Sequence, residues 1–222
     1  NLNPDKFPVI ENGLAIAVSN DNHIGVSNTK DGSIKWKKRI KGTIKNAPTI
    51  YQDKIIIAKT GRNQSDVIEV RDLDTGRSVW AFEQEDFKFQ LTAMPTVGEK
   101  SIVFSVVTKW HSGDVVDEVD MVMALNIQDG TLLWQKIKEK AHQSPKLRPI
   151  FSNKVIVTDM GIEDAVLVGL DPVTGEKLKG YFEYEEEKEE LERQKVLNMT
   201  LYKQYVVALQ SEEDQLRIVC YR

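Results

Sequence analysis

The chain has 222 residues, of which 29% are charged, and it carries a formal net charge of −4. A chain of this length can bury a substantial core, and its mild acidity excludes a general electrostatic attraction to nucleic acid or to an anionic membrane. No apolar run reaches the roughly 18 residues of a membrane span, and the one cysteine, Cys220, excludes an intramolecular disulfide.

From Pro8 onward, the sequence repeats one order of short segments. A proline opens each unit, apolar residues and a polar turn follow, and two β-branched runs then lead into a phrase built on Asp and Gly. Short β-branched runs bounded by Gly, Asn and Asp are typical of strands joined by tight turns, and no unit keeps a helical period. The pattern predicts an all-β protein. The opening prolines are Pro8, Pro48, Pro95 and Pro149, and the first β-branched runs are 14–18, 55–58, 102–107 and 155–158.

The Asp/Gly phrase ends in tryptophan in three units, each time four residues after a glycine. The three successive spacings between the phrase ends are 44, 54 and 45 residues. Strand-rich repeats of about 40–50 residues favour the four-stranded blades of a β-propeller. The paired positions are Gly32 with Trp36, Gly76 with Trp80, Gly130 with Trp134 and, in a worn fourth copy that contains Asp171 and Thr174, Gly175 with Lys179.

Each residue type in the phrase has a mechanical reason to be there. Glycine adopts a positive φ in a tight turn without a Cβ clash, and the Asp or Asn ahead of it hydrogen-bonds its own backbone and holds the turn. Tryptophan then opens the next strand as a large apolar plate with one N–H donor, which suits an interface between blades. We therefore predict structural roles for the repeat tryptophans, whereas Trp110 lies outside the repeat, in an insertion of the third unit.

The pattern Asp-x-x-Thr-Gly-x-x-x-Trp is complete at Asp72, Thr75, Gly76 and Trp80, and it resembles the repeat of the quinoprotein-type (PQQ-like) β-propellers. That family includes quinone-dependent alcohol dehydrogenases, the outer-membrane assembly lipoprotein BamB and many non-enzymatic relatives. The resemblance covers residues 8–222 and implies a propeller of four-stranded antiparallel blades.

Four blades and part of a fifth are expected in a single domain. The units are about 8–46, 47–92, 93–144, 145–195 and 196–222, and the last stops before any turn and tryptophan. Because members of the family usually have six to eight blades, we expect an open part of a larger ring, completed by further chain or by a partner. A closed ring of five blades is the alternative.

The sequence offers no convincing catalytic constellation. The dehydrogenases that this fold resembles hold calcium with Glu, Asn and Asp and carry a disulfide of adjacent cysteines; the single cysteine excludes the disulfide, and the metal ligands map onto no position here. His111, Ser112 and Asp114 are residue types that could serve as a nucleophile and a base, but side chains adjacent in a loop seldom adopt the hydrogen-bonded geometry that such a pair needs. We expect no catalytic residue, no cofactor and no metal ion.

The insertion in the third unit is the first candidate for binding. We expect 109–119 to form a solvated loop that carries Trp110 and His111 to a protein partner, because function in repeat proteins often lies in insertions on one face. The acidic residues of this loop could alternatively surround a calcium ion, although the EF-hand spacing is absent. They are Asp114, Asp117, Glu118 and Asp120.

Two charged segments are further candidates. The acidic segment 183–195, which contains Glu185 and Glu186, is rich in residues that favour helices. We interpret it either as a solvent-exposed connection or as an element that docks on a partner. A basic cluster follows the first turn; lysines on an outer strand protect against edge pairing, and a basic rim for an acidic partner is the alternative. The cluster comprises Lys35, Lys37, Lys38, Arg39, Lys41 and Lys45, and Lys136, Lys138 and Lys140 match it in the third unit.

These observations favour a non-catalytic, protein-binding propeller that acts as a scaffold, assembly factor or sensor. We expect a protein partner, no nucleic acid, no membrane span and, because relatives with this blade are mostly exported, a periplasmic or extracellular location. The alternative is a propeller that binds a small ligand or cofactor in its central channel, with possible enzymatic activity. That alternative requires Thr49, Thr96 and Arg148, which flank first strands, to converge on one point.

Overall fold

The computed structural model describes residues 8–61, 63–85, 87–112, 115–138, 148–152, 155–159, 167–178, 195–202, 205–212 and 215–221. All regular secondary structure in these ranges is β-strand. The prediction of an all-β protein is confirmed. The chain divides into two compact units, Asn1–Gln90 and Leu91–Arg222.

The first unit contains two antiparallel four-stranded sheets, in each of which a strand pairs with the one that follows it. Short turns between consecutive strands make this meander the natural arrangement. The first sheet is β1 (Val9–Glu11), β2 (Leu14–Val18), β3 (His23–Asn28) and β4 (Ile34–Arg39), and the second is β5 (Thr49–Tyr51), β6 (Lys54–Thr60), β7 (Asp66–Asp72) and β8 (Ser78–Phe82); the short β9 (Phe89–Leu91) lies at the boundary between the units.

The second unit continues the same meander in three sheets. Their strand orders are β10–β11–β12–β13, β14–β15–β16 and β17–β18–β19. The strands are β10 (Thr96–Val97), β11 (Ser101–Ser112), β12 (Val115–Asn126), β13 (Leu132–Ile137), β14 (Ile150–Ser152), β15 (Val155–Asp159), β16 (Leu167–Leu170), β17 (Lys195–Tyr202), β18 (Tyr205–Glu212) and β19 (Gln215–Tyr221).

Neighbouring sheets within each unit share a core. In the first unit, Ile16, Ile24 and Val26 of the first sheet lie in one cluster with Ile55 and Ile57 of the second. Two further clusters in the second unit join β11–β13 to β15–β16, and β14–β16 to β17–β18. Within each unit, these pairs of sheets therefore bury apolar surface against each other, as stacked blades do.

One turn geometry recurs at all four copies of the Asp/Gly phrase. In each copy the glycine N–H donates to the carbonyl oxygen four residues earlier, at 2.9 Å, and the glycine has a positive φ of 64–75°. Backbone of this kind is rarely adopted by residues with a Cβ, which explains the glycine. The donor and acceptor pairs are Gly32 and Asn28, Gly76 and Asp72, Gly130 and Asn126, and Gly175 and Asp171.

The side chain that fastens this turn comes in two versions. In one, Oδ1 of Asp72 accepts hydrogen bonds from the Thr75 hydroxyl at 2.6 Å and from its N–H at 2.7 Å. In the other, the acid directly precedes the glycine, and Oδ1 of Asp129 accepts the Thr131 N–H at 3.0 Å and hydroxyl at 2.7 Å. Because hydrogen bonds favour the ionised carboxylate, they lower the pKa of both Asp72 and Asp129.

Trp36 and Trp134 each pack on the turn of the following sheet. Nε1 of Trp36 donates to the Leu73 carbonyl oxygen at 2.8 Å, and its ring covers Gly76, where an added Cβ would lie 2.7 Å from Cδ2. In the second unit, Trp134 donates to the Pro172 carbonyl oxygen at 3.3 Å and covers Gly175 in the same way. Glycine is therefore required at this position for two reasons: it permits the turn, and its lack of a Cβ leaves room for the tryptophan ring.

Candidate functional site

The third-unit insertion is a long β-hairpin. The ladder between β11 and β12 runs from Ser101↔Asn126 to Ser112↔Val115. In contrast, β10 pairs with β11 only at Val103 and Ile102, and the pairing of β13 with β12 stops at Met121↔Ile137. The hairpin therefore continues beyond the last residues that these two strands pair, and we call its outer part, the described residues 109–112 and 115–119, the hairpin tip.

The prediction of a solvated loop over 109–119 is wrong for the residues described there. Trp110 and His111 lie in β11, and Asp117 and Glu118 lie in β12, with Trp110↔Asp117 as a cross-strand pair. Valines at several positions of the two strands give the segment enough β-propensity to pair in spite of its acidic residues. Sequence reasoning weighed the acidic residues and gave too little weight to Val115, Val116 and Val119.

The two chemical interpretations of this segment assumed a loop, whereas His111 and Ser112 are consecutive positions of β11. Glu118 is exposed whereas Asp120 is buried, so these two acids do not share one solvent-facing loop. Asp114 lies outside the described residues, and within those residues no group of three or more His, Cys, Asp or Glu could hold a metal ion.

Arg148 reaches the neighbouring first strand of its own unit. Its Nη2 donates to the Pro95 carbonyl oxygen at 3.1 Å, which places it beside the buried Thr96. Desolvation lowers the pKa of Arg148, although the residue as a whole is exposed; the guanidinium stays charged at neutral pH. Thr49 begins β5 in the other unit. Glu185 and Glu186 lie outside the described residues.

A Ser–Asp–His group that sequence analysis missed closes the turn between β2 and β3. The Ser19 hydroxyl donates to Oδ1 of Asp21, and Nδ1 of His23 lies 2.8 Å from Oδ2 of the same carboxylate. The hydrogen bond from Ser19 lowers the pKa of Asp21. Because the hydroxyl faces the aspartate and not the imidazole, His23 is not placed to take its proton, and the order differs from that of a hydrolytic triad.

A cleft of about 540 Å³ opens at the end of β4, in the first unit. Its walls are held by backbone contacts: Asn22 accepts the N–H of Ile40 at 2.8 Å on its carbonyl oxygen, and the Thr60 N–H donates to the Thr43 carbonyl oxygen at 2.8 Å. Gly42 has a φ of 91° and no room for a Cβ against the Thr60 carbonyl. The lining residues are Asn22, Arg39, Ile40, Lys41, Gly42 and Thr43.

The second sheet contains a buried cluster of charges. Glu69 is 3% exposed and forms ion pairs with Lys59 and with Nη2 of Arg71, the latter at 2.6 Å. Burial opposes ionisation of Glu69, but the hydrogen bond from Lys59 and the charges of both cations outweigh it and lower the pKa of the carboxyl group. Arg71 also donates to the Gly76 carbonyl oxygen at 2.7 Å, which links this cluster to the repeat turn.

Comparison with solved structures shows the fold. The chain is similar to quinohemoprotein alcohol dehydrogenase from Comamonas testosteroni (TM-score 0.59, 11% identity, 96% of this chain and 42% of that chain). It is also similar to a europium-containing methanol dehydrogenase (TM-score 0.57, 12% identity, 94% of this chain and 49% of that chain). The chain thus spans less than half the length of either enzyme, and at such identities the likeness shows the β-propeller fold alone. The predicted fold class is confirmed.

Sequence comparison gives the family. No match was found among curated proteins. The described ranges contain no helix that is long and apolar enough to cross a membrane. BamB from Moraxella catarrhalis is similar at 16% identity over 96% of this chain and 68% of that chain, with a TM-score of 0.43. The family model described as outer membrane protein assembly factor BamB matches residues 3–116 and 64–221. Since these matches together span nearly the whole sequence, the chain belongs to this PQQ-like β-propeller family.

Proposed function

We propose that this protein is a non-catalytic, protein-binding β-propeller that acts as a scaffold, assembly factor or sensor. The observation that carries the proposal is the hairpin tip, where β11 and β12 remain paired beyond the residues that β10 and β13 pair. The paired backbone of such a hairpin offers N–H and C=O groups to a partner.

The side chains that would suggest chemistry have structural uses instead. Asp72 and Thr75 fasten a repeat turn, Trp36 covers the glycine of that turn, and Asp21 separates Ser19 from His23. Among these described side chains, no nucleophile is held against a base.

The cofactor chemistry of the similar dehydrogenases does not fit the residues of this chain. A disulfide of adjacent cysteines over a quinone requires two thiols, and the sequence has only Cys220, an exposed residue of β19. The calcium ligands of those enzymes map onto no position of this sequence. We derive no reaction through a quinone here.

The family description supports a partner that is a protein and an exported location. It names an assembly factor of outer membrane proteins, and a factor of that kind acts by contacting other polypeptides. We extend that role to this chain as part of the proposal, with a periplasmic or otherwise exported compartment.

Site-specific photo-crosslinking tests the role of the hairpin tip. We expect a photo-reactive amino acid at position 109 to give one discrete crosslinked polypeptide in cells of the native host. The matched control places the same group at position 30, an exposed lysine of a repeat turn, where we expect no discrete product. Identical crosslinking patterns at the two positions would contradict the proposal.

A second candidate function, binding of a small ligand in a central channel, has one observation in its favour. The guanidinium of Arg148 lies at the Pro95 carbonyl beside Thr96, so two of the three polar residues named for such a site are neighbours. One Nη2 hydrogen bond leaves several N–H donors of Arg148 for an anionic ligand. Mass spectrometry of the purified protein, described in the Discussion, distinguishes this candidate from the first.

A further inference from the structure

We propose that the outer edge of the first sheet binds an extended acidic peptide segment of a partner protein. The peptide pairs with β4, and the cleft at the end of β4 receives one of its side chains. This inference rests on the proposed binding function and names the chemistry of a second contact with a partner.

The charge on this edge is not neutralised within the part of the chain that the structure describes. Lys37, Lys38, Arg39 and Lys41 form no ion pair there. Other cations of the same unit do meet carboxylates. These paired cations are Lys35 with Asp74, Lys45 with Asp66, Lys54 with Asp53, and Lys59 and Arg71 with Glu69.

The geometry of the edge suits a strand. β4 is the last strand in the order of its sheet, and it pairs with β3 only, among the strands described. Its outer side therefore presents backbone N–H and C=O groups to an added strand, which is a common way to recognise an extended peptide. Lys37 and Arg39 are exposed and stand two residues apart, and the six residues of β4 span about 17 Å at roughly 3.3 Å per residue. An acidic peptide of about six residues matches that length.

Protection against edge pairing does not explain the cluster. Lysines on an edge strand can serve that purpose. If the fold needed it, the equivalent outer strands would carry similar charges. However, β8 has no charged residue in the sequence Ser-Val-Trp-Ala-Phe, and β13 has only Lys136. Within the strand bounds, β4 thus carries four cations, whereas β13 carries one and β8 none.

The cleft at the end of β4 provides a pocket for one side chain of the bound peptide. Arg39 and Lys41 line it together with Asn22 and Thr43, and its volume of about 540 Å³ accommodates a side chain. Its cations, the Thr43 hydroxyl and the amide N–H groups of Asn22 can hold a carboxylate, and the buried Ile40 also lines the cleft. Asp21 is the nearest acid in sequence to this wall, and it already meets Ser19 and His23.

Other anionic partners fit less well. Proteins that bind single-stranded nucleic acid interleave cations with exposed aromatic rings, whereas the aromatic residue of β4, Trp36, is 9% exposed and committed to the next sheet. The chain as a whole has a net charge of −4, which opposes general adhesion to anionic lipid or to duplex DNA.

Peptide binding to the full 222-residue chain tests the inference. The probe is a fluorescent ten-residue peptide of alternating Glu and Val, and the matched probe has Gln in place of Glu. We expect the double variant K37Q/R39Q to bind the Glu peptide about tenfold more weakly, since two exposed ion pairs are lost. The control K30Q/R77Q removes the same charge from exposed turn positions and should change binding less than twofold. Binding should also weaken as salt rises.

Three results would overturn the inference. The first is equal binding of the Glu and Gln peptides, or an equal loss in K37Q/R39Q and K30Q/R77Q. The second is undiminished binding of a Glu–Val peptide N-methylated at every residue, because such a peptide has no backbone N–H group to donate to β4 on either edge. The third is tighter binding of a DNA duplex or of phosphatidylglycerol vesicles than of the peptide. Failure here leaves the crosslink at position 109 as an independent test of the proposed function.

Discussion

The variant Gly76→Ala is expected to lower the free energy of unfolding by about 2–5 kcal/mol, the sum of a left-handed backbone cost of about 1–2 and an overpacking cost of about 1–3. Gly76 has a φ of 64°, and an added Cβ would lie 2.7 Å from Cδ2 and from Cε3 of Trp36. The tryptophan cannot easily retreat, because its Nε1 is bonded to the Leu73 carbonyl oxygen. Urea unfolding followed by circular dichroism measures the change.

Gly32→Ala is the matched control for this prediction. Gly32 occupies the same position of the repeat, with a φ of 74°, but a Cβ there would meet no atom within 4 Å. The control therefore carries the backbone cost alone, about 1–2 kcal/mol. Equal losses in the two variants would show that the tryptophan does not depend on the missing Cβ, and would refute the packing of repeat units described above.

The variant Glu69→Gln is expected to destabilise the protein by about 3–5 kcal/mol, because it leaves two largely buried cations without a countercharge. Lys59 and Arg71 are each 13% exposed, and both pair with this carboxylate. The lowered pKa of Glu69 also sets the sign of a pH effect: the ionised carboxylate stabilises the fold above its unfolded pKa, and that contribution is lost as the pH falls through the folded value. Unfolding in urea at pH 7 and at pH values from 5 down to 3 measures both effects.

Asp74→Asn provides the comparison for the buried cluster. Asp74 pairs with Lys35 at 2.6 Å, but its side chain is 75% exposed, so we expect a loss below about 1 kcal/mol. The Glu69→Gln variant should also lose less stability between pH 5 and pH 3 than the parent protein does. A loss at Glu69 no larger than that at Asp74 would mean that the buried cluster contributes nothing beyond a surface ion pair.

Much of the fold could be predicted from the sequence because the repeat carries redundant information. The glycine, the Asp or Asn four residues before it and the tryptophan four residues after it each have one mechanical explanation, and the copies agree. What the repeat does not reveal is the partner of each tryptophan. Trp36 bonds to Leu73 and covers Gly76, 40 residues further along the chain, and nothing local to Trp36 indicates that contact.

The candidate sites were harder to predict, for two physical reasons. At the hairpin tip, charge in the sequence suggested a loop, whereas the pairing of β11 with β12 is decided by register over the full length of both strands. At the cleft, the basic run was visible, but the walls come from separate segments, Asn22 on one side and 39–43 on the other. Burial of Glu69 likewise depends on Lys59 of the neighbouring strand, and the alternation in β7 alone does not predict it.

The most direct test of the binding role is native mass spectrometry of the protein purified from its own host after mild crosslinking. The account predicts a polypeptide bound in a fixed stoichiometry. It also predicts that this partner is lost when residues 109–119 are replaced by a short turn, while circular dichroism shows that the sheets remain folded. A retained small molecule without a polypeptide partner, released by Arg148→Gln, would contradict the account and support a ligand site beside Pro95.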